Sequence, residues 1–249
     1  TVYARSRRVD FVTDVSWHEA HRMLKAAFQV DVRNTRATFD IQCGHVERPT
    51  HYNTSWDFAR FEVCAHKWAD LSDDSYGVSL LNDCKYGCNI YGNEMQITLL
   101  KSAKEPDYAA DMGEHRFTYS VLPHAGTVTQ GDTIPESHFL NRPVAMAVGR
   151  GEPIPLLQFE GNIVIDALKK AYDSSDIVVR FHEYRGGRTC VRLRPSVPIS
   201  GWTVCNMLEQ DTGEQIQTGC VELSLRPFEI VTIKLHIAAS RDCISPPLL

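Results

Sequence analysis

Residues 48–87, RPTHYNTSWDFARFEVCAHKWADLSDDSYGVSLLNDCKYG, are dense in side chains that can do chemistry. Asp57 and Glu62 are carboxylates set beside aromatic residues. Acid–base cleavage of a glycosidic bond needs such a pair, and the same residues serve equally well as loop anchors. His51 and His66 offer a metal ligand or a base, but neither has a partner at ligand spacing, which fits hydrogen-bonded structural histidines. Trp56 and Trp68 offer an apolar face with one donor, suited to stacking on a sugar or to packing in a core or domain interface. The sharpest element is LLNDCKYG (80–87), an apolar strand that ends in polar groups. Asn82 and Asp83 can accept hydroxyl hydrogens, Lys85 supplies a cation, and Tyr86 can stack and donate. A plain polar turn is the alternative.

Other motifs are weaker. Cys84-x3-Cys88 could be half of a zinc site, but no second Cys or His pair at ligand spacing accompanies it, so the two read as loop cysteines. His18 and His21 flank an expected turn with no carboxylate at a metal spacing. Asn53-Thr54-Ser55 is a glycosylation acceptor only in a secreted protein. There is no Gly-rich phosphate cradle and no nucleophile elbow.

The elements that must position these groups are strands. Apolar residues alternate in VDFVTDVSW (9–17), LKAAFQVDV (24–32), HRFTYSVLPH (115–124), VELSLRP (221–227) and VTIKLHI (231–237). A period of two marks half-buried antiparallel strands. Residues 16–28 are expected to turn between strands, and IVIDALKKAYDS (163–174) to be a strand with an exposed Lys-Lys turn rather than a short helix. Trp56 alternates with Phe58 and is expected to face a core or domain interface, whereas Trp68, followed by a polar loop, is expected to be partly exposed. The stretch 124–155 has no clear period and is rich in Gly and Pro, which predicts a long connection ending in a domain boundary. About six short strands follow, as in a small immunoglobulin-like sandwich. The chain enters a strand pattern almost at once, as if starting inside a domain.

Composition narrows the partners. The 249 residues are 43% hydrophobic and 23% charged with net charge −5, ordinary values for globular domains. With no basic tract beyond RSRR (5–8), a nucleic-acid surface is not expected. No apolar run approaches the ~20 residues of a membrane span, and no signal segment opens the chain. Eight scattered cysteines suggest reduced thiols and a cytoplasmic setting.

Three segments carry a resemblance: RRVDFVTDVSWHEAHRMLKAAFQVDV, the run from RATFDIQCGHVERPTHYNTSWDFARFEV through LLNDCKYG, and DMGEHRFTYSVLPHAG. They resemble the C-terminal half of the cytosolic-type α-mannosidases of glycoside hydrolase family 38, and LRPFEIVTIKL (225–235) resembles that family's final strand pair. The likeness runs from about residue 5 to 237 and weakens between 127 and 160. It implies an all-β chain: residues 1–151 as the later part of a large galactose-mutarotase-like sandwich, and 152–249 as a small immunoglobulin-like sandwich with an irregular tail from about 238. It implies a retaining exo-α-mannosidase that uses one zinc ion. The zinc ligands and the aspartate nucleophile would lie in an N-terminal α/β barrel outside this chain, which alone would be inactive and hold no metal. On that reading Asn82, Asp83, Lys85, Tyr86 and Trp68 are candidates to line the sugar cleft, and His51, Asn53, Trp56 and Asp57 to meet another domain. The implied partners are an oligosaccharide with terminal mannose, the catalytic barrel and further copies of the intact enzyme. A stand-alone carbohydrate-binding sandwich and a purely structural module are the competing expectations.

Overall fold

The computed structural model describes residues 1–142, 144, 146, 148, 149 and 155–238. The chain divides into two compact units, Thr1–Ala147 and Val148–Leu249. The expected boundary at 151/152 and the expected tail beyond 238 lie outside the described residues.

Unit 1 begins with β1 (Val9–Trp17), β2 (Met23–Gln29) and the hairpin β3 (Arg36–Ile41) and β4 (Gly44–Pro49). A short helix α1 (Ser55–Ala59) precedes β5 (Val63–Cys64), β6 (Trp68–Ser72), β7 (Tyr76–Asn82), β8 (Gly87–Tyr91), β9 (Glu94–Lys101), β10 (Gly113–Ala125) and helix α2 (Thr133–Asn141). The strands form two antiparallel sheets, ordered β1-β10-β7-β6-β3-β4 and β2-β9-β8-β5. Between them lies one apolar core, with Phe39, Ala69, Leu71, Val78, Leu80, Met95, Ile97 and Phe117 all buried. The alternation read from the sequence is the cause, because every second side chain of each strand points into this layer.

The outer face of the six-stranded sheet mixes polar and apolar residues. The register places Ser120 opposite both Asp10 and Leu81, and Leu81 opposite Trp68. One pair along, Ser79 lies between Leu122 and Asp70, and beyond it Gly77 between His124 and Ser72. Helix α2 covers this face. Its Ile134 and Leu140 pack on Trp68, Leu81 and Leu122. Thr133 shares a 2.7 Å hydrogen bond with Ser79, and Arg8 reaches from Asp10 to Glu136 at 2.9 Å. This helix corrects the reading of 124–155 as a connection without structure.

Unit 2 contains β11 (Leu157–Glu160), β12 (Ile163–Lys170), β13 (Ile177–Glu183), β14 (Thr189–Pro195), β15 (Ile199–Cys205), β16 (Val221–Leu225) and β17 (Ile230–Ile237). They form sheets of order β11-β14-β16 and β12-β13-β17-β15. The core includes Phe181, Leu193, Trp202, Val221, Ile233 and Leu235, drawn from both sheets. Residues 163–170 are a strand, as expected, and the turn between β1 and β2 falls at 18–22.

Candidate functional site

Two chain segments cross between the sheets of unit 1 side by side. Residues 65–67 lead from β5 to β6, and residues 83–86 lead from β7 to β8. Backbone bonds tie them together at both ends, Ala65 N–H donating to Tyr86 O at 2.8 Å and Asn82 N–H to Lys67 O at 3.1 Å. Asp40 on β3 pins the first crossing. Its carboxylate accepts from Lys67 N at 3.0 Å and lies 3.5 Å from Lys67 Nζ. Burial nevertheless pushes this carboxyl above its ordinary range, against the pull of Lys67.

The second crossing is fastened to β10. Asp83 N–H donates to Thr118 O at 3.1 Å, and Thr118 N–H donates to Asp83 Oδ2 at 2.9 Å. Asn82 Oδ1 accepts from Lys85 N at 2.8 Å, closing an Asx-type turn. Its carbonyl accepts from Asn141 Nδ2 at the end of α2, also at 2.9 Å. Two buried polar atoms here, Asn82 Nδ2 and Asp83 Oδ1, have no hydrogen-bond partner among the described residues.

What this frame presents outward is Tyr86, half exposed, with its ring stacked on His66 at 5.3 Å and 23°. Gln42, from the β3–β4 hairpin, has its amide 3.3 Å from His66 Nε2. Lys85 holds its ammonium 4.7 Å from the centre of the buried Phe117 ring on β10, a cation–π contact. The stack offers an aromatic face, a phenol and an amide, groups that can contact a polyhydroxylated ring.

Of the residues expected to line a cleft, Tyr86 is exposed and stacked on His66, Lys85 reaches to Phe117, and Asp83 is half-buried. Asn82 and Trp68 do not reach the surface, each being 1% exposed. The expected exposure of Trp68 is corrected: β6 is an interior strand, and α2 covers the face that carries this indole. Asn82 braces the turn from inside.

The second expected group also changes in form. Residues 55–59 are a helix, not part of an alternating strand, so Trp56 does not enter the core and is 78% exposed. Thr54 and Asp57 make a capping box, the Thr54 hydroxyl accepting from Asp57 N at 3.1 Å and Asp57 Oδ2 accepting from Thr54 N at 3.2 Å. His51 Nδ1 lies 3.8 Å from the Asp57 carboxylate and accepts from Asn53 N at 3.4 Å. Asp57 is therefore a loop anchor. Glu62 is one too, bonded to Lys25 at 2.6 Å and to the Thr98 hydroxyl. Cys84 lies in the crossing, but Cys88 is a buried core residue of β8, which corrects its reading as a loop cysteine. Sequence reasoning missed Gln42 and the α2 contacts. The segment Asp132-Thr-Ile-Pro-Glu, with Asp132 at the N-cap and Glu136 in the first turn, is the signal that could have revealed the helix.

Comparison with known proteins adds an independent line. Residues 1–109 match the glycosyl hydrolases family 38 C-terminal domain, and residues 162–233 match the family 38 C-terminal beta sandwich domain. Alpha-mannosidase G of Dictyostelium discoideum is 41% identical over 94% of this chain and 22% of its own length. Human alpha-mannosidase 2C1 is 38% identical over 91% of this chain and 23% of its own. Alpha-mannosidase of Saccharomyces cerevisiae is 35% identical over 94% and 24%. The chain thus spans about a quarter of the length of these relatives. A crystal structure of an alpha-mannosidase from Enterococcus faecalis shares the fold, with a TM-score of 0.77 at 21% identity, over 92% of this chain and 27% of that one.

Proposed function

This chain belongs to glycosyl hydrolase family 38, carrying its C-terminal β domains, and on that premise we propose that it is the C-terminal part of a retaining α-mannosidase acting on terminal α-mannosyl residues of oligosaccharides. In this reading the Asp83–Tyr86 crossing completes the substrate cleft, and the catalytic carboxylates lie in a barrel elsewhere in a longer polypeptide. The observation that carries it is the Tyr86–His66 stack, with Tyr86 half exposed, built on two crossings joined by backbone hydrogen bonds. Tyr86 would offer its face to the sugar, and Lys85 and Gln42 would orient hydroxyl groups. Asp83 and Asn82 would hold the loop in register.

Among the described residues no helix is long and apolar enough to cross a membrane, and the intact enzyme is proposed to be cytoplasmic and oligomeric. The aromatic surface around α1, with Trp56, Phe58 and Phe61 all exposed, is proposed as the face that packs on the barrel, with His51 and Asn53 at its rim.

On the family reading the intact enzyme would hold one zinc ion, which would supply Lewis-acid chemistry. The residues of this crossing do not fit that ion. A thiolate is the form that binds zinc, yet burial, with help from Asp83, pushes the Cys84 thiol up to about 11. Burial also pushes the Cys88 thiol up to about 12. His66 is engaged with Tyr86 and Gln42. Zinc would be held by the barrel.

The test has two arms. Residues 1–249 purified alone should contain no stoichiometric zinc and should not hydrolyse an aryl α-mannoside; zinc with turnover overturns the reading. In the longer enzyme, Tyr86→Ala and Lys85→Ala should lower kcat/KM several-fold to a hundredfold, the scale of one or two site contacts of roughly 0.5–3 kcal/mol, with melting unchanged. Unchanged kinetics would remove the crossing from the cleft.

A further inference from the structure

A second concavity of unit 1 lies away from these crossings in the fold, where the β1–β2 turn meets the end of β9. Its volume is about 580 Å³, within the ~300–1,000 Å³ of small-molecule sites. Its walls are His21, Arg22 and Met23 on one side, Lys101 and Ser102 on another, and Ala103, Lys104, Glu105 and Tyr108 on a third.

These walls are joined by backbone bonds. His21 N–H donates to Ser102 O and Ser102 N–H to Arg22 O, each at 3.0 Å, and Met23 pairs with Lys101 in the β2–β9 ladder. The third wall is folded back by Lys104, whose ammonium donates to Tyr108 O at 2.8 Å. Lys101 N–H donates to Asp111 Oδ2 at 2.7 Å, which steadies the strand end. The floor is set by Ser102, whose hydroxyl accepts from Trp17 Nε1 at 2.6 Å.

The charge of the pocket runs against that of the chain. The lining carries Arg22, Lys101 and Lys104 against one acidic residue, Glu105, with the Asp111 carboxylate at the Lys101 backbone, in a protein of net charge −5. Glu19 meets Arg22 at 3.3 Å from outside the pocket, and both side chains are largely exposed, so the pair contributes little. Lys104 uses one of its three donors on Tyr108 and keeps two. Tyr108, 81% exposed, and Met23 supply apolar surface at the rim.

We propose that this concavity binds the phosphate group of a small sugar phosphate. Three cations in one lining, Arg22 and Lys101 on adjoining strand ends and Lys104 on the segment beyond, match a group with three acceptor oxygens and nearly two negative charges. The rim aromatic matches the apolar face of a pyranose ring. Neither feature depends on the mannosidase reading, and the ligand would be held outside the proposed cleft.

The test uses residues 1–249 labelled with ¹⁵N, following the Trp17 indole N–H, whose acceptor Ser102 lines the pocket. A hexose 6-phosphate should shift this signal saturably, inorganic phosphate should shift the same signals more weakly, and the free hexose should not. The double variant Arg22→Gln/Lys101→Gln, at exposed positions and with an unchanged melt, should bind the hexose 6-phosphate at least tenfold more weakly. No saturable shift with either phosphate overturns the proposal. So does equal response to the free hexose, or full binding by the double variant.

Discussion

Asp70 in unit 1 and Glu183 in unit 2 are both fully buried carboxylates, and different donors hold them. Asp70 is held by side chains: Ser72 at 2.7 Å, Ser79 at 2.6 Å and His124 at 2.7 Å, with Thr133 of α2 joined on through Ser79. Glu183 is held by backbone: the N–H groups of Arg185, Gly186, Gly187 and Phe228, at 2.7 to 3.2 Å. The first arrangement seats a helix on a sheet and includes a titrating partner. The second ties two loops at one end of the sandwich with donors that never change charge. Burying a carboxylate thus fixes tertiary packing in one unit and loop shape in the other.

The sharpest way to break this contrast is Asp70→Ala. It strands His124 and removes the anchor beneath α2, and losing one member of such a buried pair costs roughly 3–5 kcal/mol. Urea denaturation should show unit 1 destabilised and the unit 2 transition unmoved. Glu183→Gln should do the reverse. Its amide keeps one acceptor but turns an NH₂ toward backbone donors, a loss of about 1.5–3 kcal/mol, read from a transition monitored at Trp202 in the unit 2 core.

A finer probe is Gly77→Ala. A Cβ at this position would lie 2.4 Å from Ser72 Cβ and 2.5 Å from His124 Cε1. Both neighbours belong to the Asp70 cluster, so the ring must shift, at about 1–3 kcal/mol. A melt of this variant should fall on unit 1 alone.

The smallest effect is in pH. Burial lowers the His124 pKa, but the hydrogen bond and charge of Asp70 outweigh it, and the imidazole titrates above its ordinary value. Its contribution is complete below the unfolded pKa of about 6.5 and is lost as pH rises through the folded value. Unit 2 carries the opposite case. Burial raises the Asp176 carboxyl, but the His236 hydrogen bond and Ile237 N–H outweigh it and hold the pKa below its usual range. That contribution is present above the unfolded carboxylate pKa and is lost as pH falls through the folded one. Alkaline titration from near pH 6 should therefore weaken unit 1 through His124, an effect that Asp70→Ala abolishes. A pH-independent unit 1 would dissolve the distinction.

The strands were legible because alternation is a strong signal wherever one face is buried, as in β1, β10 and β17. The covering of a sheet face was not. Trp68 reads as partly exposed when only its own neighbours are consulted, because the helix that buries it begins 65 residues later, in a segment with no apolar period. Its stripe is too mixed to show one, since Thr133 and Ser137 are buried beside Ile134 and Leu140. The local structure at Trp56 and Phe58, an alternating strand by sequence and a helix in the fold, was misread for a related reason. Two aromatics two apart fit a strand, but Thr54 and Asp57 at capping-box spacing set the local structure first. At the candidate site, Lys85 and Tyr86 were visible as polar residues ending an apolar strand. Gln42 and His66 were not visible as companions of Tyr86, since they arrive from the β3–β4 turn and the β5–β6 crossing through pairing that no local pattern encodes.

The register of β1 has a consequence for how the chain is made. Val9 pairs with Val121 and Trp17 with Gly113, so the first strand of unit 1 meets its partner only after some hundred further residues have been synthesised. At about 5–20 residues per second, it waits on the order of several seconds on the ribosome. Contacts this distant in sequence make folding slow. Until β10 emerges, the backbone edge of VDFVTDVSW lacks the partner that it has in the fold.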